Sequence, residues 1–202
     1  MALFSNPPVA SKSLRVLARL LGYPDAKLRE HLADMRDALH AERALSASRL
    51  AELDALIGTL QCAATLDVES DYVALFDRGR ATSLHLFEHV HGDSRDRGPA
   101  MIDLAQTYEK AGLYLAEGEL PDFLPVVLEF TSTQPPREAR AFLAEMAHIF
   151  NAIFAALEQR GSAYASVLGA LIELAGEKAQ PVQVPAEEPI DTVWEEPIVF
   201  DG

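Results

Sequence analysis

The sequence has few of the features that mark secreted and membrane proteins. Cys62 is its only cysteine, so the chain can form no internal disulfide and no two-cysteine metal knuckle. The longest uncharged apolar stretch, residues 161–172, is shorter than the roughly 20 residues that a membrane-spanning helix needs. Near the N-terminus, Arg15 and Arg19 interrupt the only apolar run, which is unlike an export signal. We therefore expect a cytoplasmic protein without stable membrane association.

Positive charge is also scarce. Seventeen Lys and Arg residues stand against 31 Asp and Glu residues, and the net charge is −14. Six of the acids, and no Lys or Arg, follow Lys178, so the preceding residues still carry −8. An acidic surface repels phosphate backbones and anionic lipids and favours basic partners. We therefore predict that the protein does not bind nucleic acid and that a basic peptide suits it better.

Apolar residues recur at helical spacing through most of the chain. Between residues 12 and 177 we find no alternating apolar–polar run and no two-residue hairpin signal. We therefore predict an all-α fold of about seven to nine helices. The longest helix is expected after Pro135 and Pro136, as one continuous element. Its inward-facing residues would be Phe142, Met146, Phe150, Ile153, Phe154 and Leu157.

The composition changes near residue 179 and divides the chain into three parts. Residues 179–202 combine prolines and acids without a basic residue, which favours a disordered acidic tail. Residues 12–178 are predicted to form a single helical domain, preceded by a flexible N-terminus over residues 1–11. Trp194, the only tryptophan, lies in the tail with other apolar residues, which leaves docking of the tail on the domain open.

The run HLFEH, His85 to His89, matches the inverzincin pattern of two histidines around a glutamate. On a helix, these histidines would lie one turn apart and could hold zinc, with Glu88 as a general base. This pattern indicates one candidate function, a helical zinc-dependent hydrolase.

The residues around the motif oppose the zinc interpretation. Leu84, Leu86, Phe87 and Val90 make the segment strongly apolar, and histidines on such a segment are more often core or groove residues than ligands. Several guanidinium groups close by would oppose a divalent cation electrostatically and suit carboxylates instead. We therefore favour no metal site, and keep the hydrolase as the alternative. The arginines concerned are Arg78, Arg80, Arg95 and Arg97.

Other catalytic chemistry is poorly represented. The sequence has no Gly-x-x-x-x-Gly-Lys loop, no Gly-x-Gly-x-x-Gly and no Gly-x-Ser-x-Gly. Cys62 lies in an apolar helical context, where we expect an inert thiol in the core. We therefore predict that the protein is not an enzyme.

The run from Tyr72 to Gly98, YVALFDRGRATSLHLFEHVHGDSRDRG, resembles the signature of the NarJ branch of the NarJ/TorD/DmsD family of molybdoenzyme maturation chaperones. The segments LLGYPD (20–25), YEKAGL (108–113) and ELPDFLPVVLEF (119–130) match the family in order and spacing. The likeness covers most of residues 14–177, and the acidic segment DTVWEEPIVF resembles the same branch.

One position departs from the family pattern. Where the family often has an Asp-His pair, this chain has Asp122 and Phe123. The departure implies either that the histidine is not essential here or that His85, His89 or His91 takes its role.

The resemblance implies a fold and a function. The fold would be a single-domain helical bundle of the TorD type. The protein would bind the N-terminal segment of the catalytic (alpha) subunit of nitrate reductase and hold the apoenzyme for molybdenum cofactor and iron–sulfur insertion. It would then leave the finished enzyme, and it would need no cofactor of its own.

A binder of this kind needs a groove, which we expect between segments 75–91 and 104–130. Asp122 is also expected to be the N-cap of the helix that follows it. Taken singly, the leucines and phenylalanines fit an ordinary core better than a groove, and Arg78 and Arg80 could equally tie down the loop. The predicted peptide-binding residues are Leu75, Phe76, Arg78, Arg80, His85, Leu86, Glu88, His89, Tyr108, Leu113, Asp122, Leu124 and Glu129.

Overall fold

The computed structural model describes residues 9–91 and 94–180 and contains eleven α-helices in these ranges, with no β-strand. The predicted all-α fold is confirmed, whereas the predicted number of about seven to nine helices is too low. The predicted tail and N-terminus lie mainly outside the described residues, so the boundaries at 12 and 178 stay predictions. The helices are α1 Ser11–Leu20, α2 Ala26–Glu30, α3 Leu32–Glu42, α4 Ala47–Cys62, α5 Thr65–Tyr72, α6 Leu86–Val90, α7 Arg97–Lys110, α8 Leu124–Thr133, α9 Pro136–Glu145, α10 Ala147–Gln159 and α11 Ala165–Ala175.

The centre of the bundle is α11, ten of whose eleven residues are buried. A helix that is apolar on all sides is stable only when other elements surround it. α11 packs against α4, α9 and α10, while α1 packs against α3 and α8. Gly169 of α11 lies against the Arg49 guanidinium of α4, which would have to shift to admit a Cβ at position 169.

The end of α11 is fixed by Gly176, which has φ +80°. The N–H of Gly176 donates to the carbonyl of Glu173 at 2.9 Å, and the N–H of Glu177 donates to that of Ile172 at 3.1 Å. This hydrogen-bond pair is the Schellman motif, which favours glycine at the left-handed position. Arg140 of α9 occupies the space that a Cβ at Gly176 would fill.

The segment after Pro135 is two helices, so the prediction of one continuous helix is wrong. α9 and α10 meet at Met146 and are bent by 63° relative to one another. The bend allows Leu143 of α9 and Phe150 of α10 to be buried in the same core. Among the described residues, no single helix is long and apolar enough to cross a membrane; α9 and α10 reach that length only as a bent pair.

Cys62 is exposed at the C-terminal end of α4, so the expectation of a core thiol is wrong. The buried face of α4 is formed by Leu53, Leu56, Ile57 and Leu60. Residue 62 is about 200° around the helix from residue 60, so its side chain leaves that face.

Candidate functional site

The chain between α5 and α6 is irregular and tightly held. It forms a π-helical turn, Val73–Asp77, and then a 3₁₀ turn, Arg80–Thr82. The Thr82 hydroxyl donates a hydrogen bond to the Leu75 carbonyl, and the Gly79 carbonyl lies 3.2 Å from the same hydroxyl oxygen. A Cβ at Gly79 would collide with the Leu75 carbonyl and the Thr82 side chain. Glycine therefore allows the two turns to close on each other and sets the position of the side chains around them.

A short backbone pairing joins the start of α6 to the start of α8. His85 and Phe123 form an isolated antiparallel bridge. The N–H of Leu86 donates to the Asp122 carbonyl at 3.0 Å, and the N–H of Leu124 donates to the Leu84 carbonyl at 2.8 Å. Because these two segments are in direct contact, they cannot leave a groove between them at this point.

Asp122 is fully buried at this junction. Its carboxylate accepts a hydrogen bond from the N–H of Phe87 at 3.2 Å, in the first turn of α6. The N-cap position of α8 is occupied by Phe123, whose side chain makes no cap hydrogen bond. The prediction that Asp122 caps the helix following it is therefore wrong, because the carboxylate is used by the helix beside it.

Cationic groups near Asp122 offset the free-energy cost of burying its carboxylate. Nδ1 of His85 lies 3.4 Å from one carboxylate oxygen, and the Arg97 guanidinium lies 3.8 Å from the other. The same guanidinium is 3.6 Å from the Glu88 carboxylate. The hydrogen bond with Asp122 raises the pKa of His85 and outweighs the opposing effect of burial. The imidazole therefore stays protonated to a higher pH than a free histidine.

The two histidines of the HLFEH run do not form the predicted zinc geometry. His85 precedes α6 and faces Asp122, whereas His89 lies inside α6 and its Nε2 donates to the Ser83 carbonyl at 2.8 Å. Within residues 9–91 and 94–180, no group of three or more His, Cys, Asp or Glu side chains is placed to hold a metal ion. The structure thus gives the zinc-hydrolase alternative no support.

An open cavity of about 840 Å³ lies beside this junction, and we call it the arginine cavity. One wall is aromatic: the ring centroids of Tyr23 and Tyr72 are 5.6 Å apart, and those of Tyr72 and Phe76 are 4.9 Å apart. Phe123 continues this wall beside the His85 ring, at 5.3 Å between centroids. The ionisable side chains that line the cavity are Asp77, Arg78, Arg80, His85, Glu88 and Arg97. The cavity can therefore hold an apolar side chain and ionic groups together.

The predicted binding residues do not share one groove. Phe76, Arg78, Arg80, His85 and Glu88 line the arginine cavity. Three others line a separate groove of about 440 Å³ next to α1, which we call the tyrosine groove: Tyr108, Leu113 and Glu129.

The remaining predicted residues lie away from both surfaces. Leu86 and Leu124 are core residues, and Asp122 is buried beneath the arginine cavity. Leu75 faces a third cavity, and His89 is bound to the Ser83 carbonyl. Their part in peptide binding, like that of the whole set, stays a prediction.

The lining residues that sequence reasoning missed include four with large side chains: Tyr23, Tyr72, Arg97 and Phe123. All four belong to segments that carried the family resemblance: Tyr23 to LLGYPD, Tyr72 and Arg97 to the 72–98 run, and Phe123 to ELPDFLPVVLEF. The family resemblance of these segments was the sequence signal that could have identified these residues. Contacts between residues so distant in sequence could not be read from spacing.

The amino-acid sequence matches a known protein family and several of its members. Residues 23–168 match the model of the family described as nitrate reductase delta subunit. The chain is 42% identical over 193 residues to the nitrate reductase molybdenum cofactor assembly chaperone NarJ of Escherichia coli K12, which covers 91% of this chain and 82% of that protein. It is 31% identical over 159 residues to the probable chaperone of the same name from Bacillus subtilis 168, covering 77% and 84%.

A solved structure has the same fold. The crystal structure of a redox enzyme maturation protein from Archaeoglobus fulgidus superimposes with a TM-score of 0.59 over 88% of this chain and 100% of that one. The sequence identity is 20%, so this likeness concerns the fold alone.

Proposed function

Because the chain belongs to the nitrate reductase delta subunit family, we propose that it is an assembly chaperone for a nitrate reductase. Its relatives in Escherichia coli and Bacillus subtilis are named as nitrate reductase assembly chaperones, which supports this role. The alignment with the Escherichia coli relative extends over nearly the whole chain, which favours a shared task.

The finer proposal concerns what the chaperone binds. It recognises the N-terminal segment of the catalytic (alpha) subunit and holds the apoenzyme while molybdenum cofactor and iron–sulfur centres are inserted. It then leaves, catalyses no reaction, and works in the cytoplasm without stable membrane association. The acidic net charge of −14 supports a basic peptide as partner.

The arginine cavity is the observation that carries this proposal. Its volume of about 840 Å³ lies within the range of about 300–1,000 Å³ that ligand sites occupy. The exposed ring of Tyr23 and the half-buried ring of Phe123 offer apolar contact area. Glu88 at the rim offers a carboxylate to a basic residue, and the arginines offer partners to an acidic one.

The expected binding affinity suits a chaperone that must release its partner. Burying about three or four leucine- or phenylalanine-sized anchors is worth roughly 1.5–3 kcal/mol each. Association and ordering cost much of this gain, which leaves about micromolar to nanomolar affinity.

Isothermal titration with a synthetic peptide of roughly the first fifteen residues of the cognate catalytic subunit tests the proposal. We expect saturable binding that Glu88→Lys weakens. The matched control is Glu119→Lys, an exposed reversal of the same sign in the tyrosine groove and outside the predicted binding set. Equal weakening by both variants would point to general electrostatics. No binding by the folded wild-type chain would overturn the proposed partner.

A further inference from the structure

A third cavity, of about 560 Å³, opens on the far side of the aromatic wall. It lies between α4, α5, the π-helical turn and the turn that joins α10 to α11, and we call it the α4/α5 cavity. Its floor is apolar, whereas its rim carries Arg160 and Asp71. The apolar side chains that line it are those of Leu56, Leu60, Ala63, Val68, Ala74, Leu75 and Ala163.

Tyr164 lines this cavity and also carries a buried polar group without a partner. The residue is only 6% exposed, and its hydroxyl has no hydrogen-bond partner among the described residues. Its ring is held in place, since it packs edge-on against Phe76 with 5.1 Å between centroids. Buried hydroxyl groups in proteins are almost always hydrogen-bonded. The cavity therefore calls for an occupant that is mainly apolar and brings a hydrogen-bonding group to this hydroxyl.

Residues 191–200 of the same chain, DTVWEEPIVF, have this chemistry. They lie outside the described residues and contain the only tryptophan, Trp194, followed at once by Glu195 and Glu196. An indole is a large apolar group, and a carboxylate suits a guanidinium such as that of Arg160.

The place where the described chain ends makes the contact reachable. At residue 180, the N–H of Gln180 donates to Oδ1 of Asn151 on α10 at 2.8 Å. Arg160 follows nine residues later, about 14 Å further along the helix direction. The fourteen residues from Gln180 to Trp194 can extend to about 45 Å, well beyond that distance.

We propose that residues 191–200 dock in the α4/α5 cavity of their own chain, with Trp194 on the apolar floor and a carboxylate of Glu195 or Glu196 beside Arg160. The Tyr164 hydroxyl donates to a carbonyl or carboxylate of the docked segment. The tyrosine groove, lined by Arg15, Arg19, Glu119 and Glu129, is the competing position for the segment, and the Tyr114→Glu variant described below tests it. The docking does not depend on the proposed function.

The test uses the fluorescence of Trp194 in the full chain, where no other tryptophan contributes. We expect emission at shorter wavelength, and clear protection from acrylamide quenching, relative to the same chain unfolded in guanidinium chloride. Ala74→Glu adds a negative charge to the exposed rim of the α4/α5 cavity and should remove both effects. The matched control is Tyr114→Glu, at an exposed position of the tyrosine groove, which should leave both unchanged.

A second pair of variants changes no residue of the helices. Glu195→Lys with Glu196→Lys should expose Trp194, while Glu187→Lys with Glu188→Lys, outside the docked segment, should not. Three results would overturn the proposal: Trp194 as accessible in the folded chain as in the unfolded one, release by Tyr114→Glu but not by Ala74→Glu, or protection that grows with protein concentration. The last result would assign the segment to a second copy.

Discussion

The buried carboxylate of Asp122 accepts a hydrogen bond from the backbone N–H of Phe87, so that the start of α8 caps the start of α6. The two residues are 35 positions apart in sequence. His85 and Arg97 contact the same carboxylate. This contact holds one side of the arginine cavity in place, and its strength can be measured.

Removing the Asp122 carboxylate should be strongly destabilising. Asp122→Ala leaves the buried N–H of Phe87 and the His85 imidazole without their carboxylate partner and leaves Arg97 with Glu88 alone, and we expect a loss of about 2–4 kcal/mol in the free energy of unfolding. Asp122→Asn retains an oxygen for the Phe87 N–H, so its loss should be smaller. Urea unfolding followed by circular dichroism measures both. A loss from Asp122→Ala no larger than that of a surface substitution would show that the contact contributes little.

The raised pKa of His85 makes part of the stability depend on pH. Its cause is the hydrogen bond with Asp122, so the folded state binds the proton more tightly than the unfolded state does. The resulting stabilisation is fully present below about pH 6.5, the ordinary pKa of histidine, and is lost as the pH rises through the folded-state value. His85→Gln should therefore reduce the free energy of unfolding more at about pH 5.5 than at about pH 8.5. The same reduction at both pH values would contradict the assignment.

Replacing two of the glycines by alanine should change the free energy of unfolding in opposite directions. Gly176→Ala puts a side chain at positive φ, where the Arg140 guanidinium lies, and should cost about 1–2 kcal/mol. Gly58→Ala lies inside α4, with no described heavy atom within 4 Å of the added Cβ, and should stabilise by about 0.5–1 kcal/mol. Thermal unfolding of both variants gives the comparison. Destabilisation by Gly58→Ala as well would show that side-chain space does not explain the difference.

Peptide affinity should depend on the aromatic wall of the arginine cavity. Tyr23 is 48% exposed, so Tyr23→Ala should leave the fold intact and weaken peptide binding by about tenfold, as expected for an aromatic anchor. Tyr114→Ala, in the tyrosine groove, is the control and should bind as the wild type does. Titration calorimetry of both variants separates the two surfaces, and the reverse pattern would move the peptide to the tyrosine groove.

Much of the fold was predictable because the apolar patterns that indicate its helices are local in the sequence. The apolar residues of α1 and α4 recur at helical spacing within single helices and form their buried faces, whereas α11 is apolar and buried on nearly all sides. The break at Met146 was not predictable in this way. No proline or glycine marks it, and the bend follows from how α9 and α10 pack into a shared core.

The candidate site was predictable only in part, because its geometry depends on contacts between distant segments. Phe76, Arg78 and Glu88 were chosen from one run of sequence and do line one cavity. The single groove expected between 75–91 and 104–130 is divided by the pairing of His85 with Phe123. Asp122 has the residue type and position of a local helix cap, yet burial directs its carboxylate to a helix that is distant in sequence.

The contact between Phe76 and Tyr164 has a thermodynamic consequence. Phe76 lines the arginine cavity and Tyr164 lines the α4/α5 cavity, so a layer of two packed rings separates the two cavities. Side chains in a close-packed interior cannot shift independently of their neighbours. We therefore expect filling of one cavity to change the affinity of the other, and any such coupling must act equally in both directions.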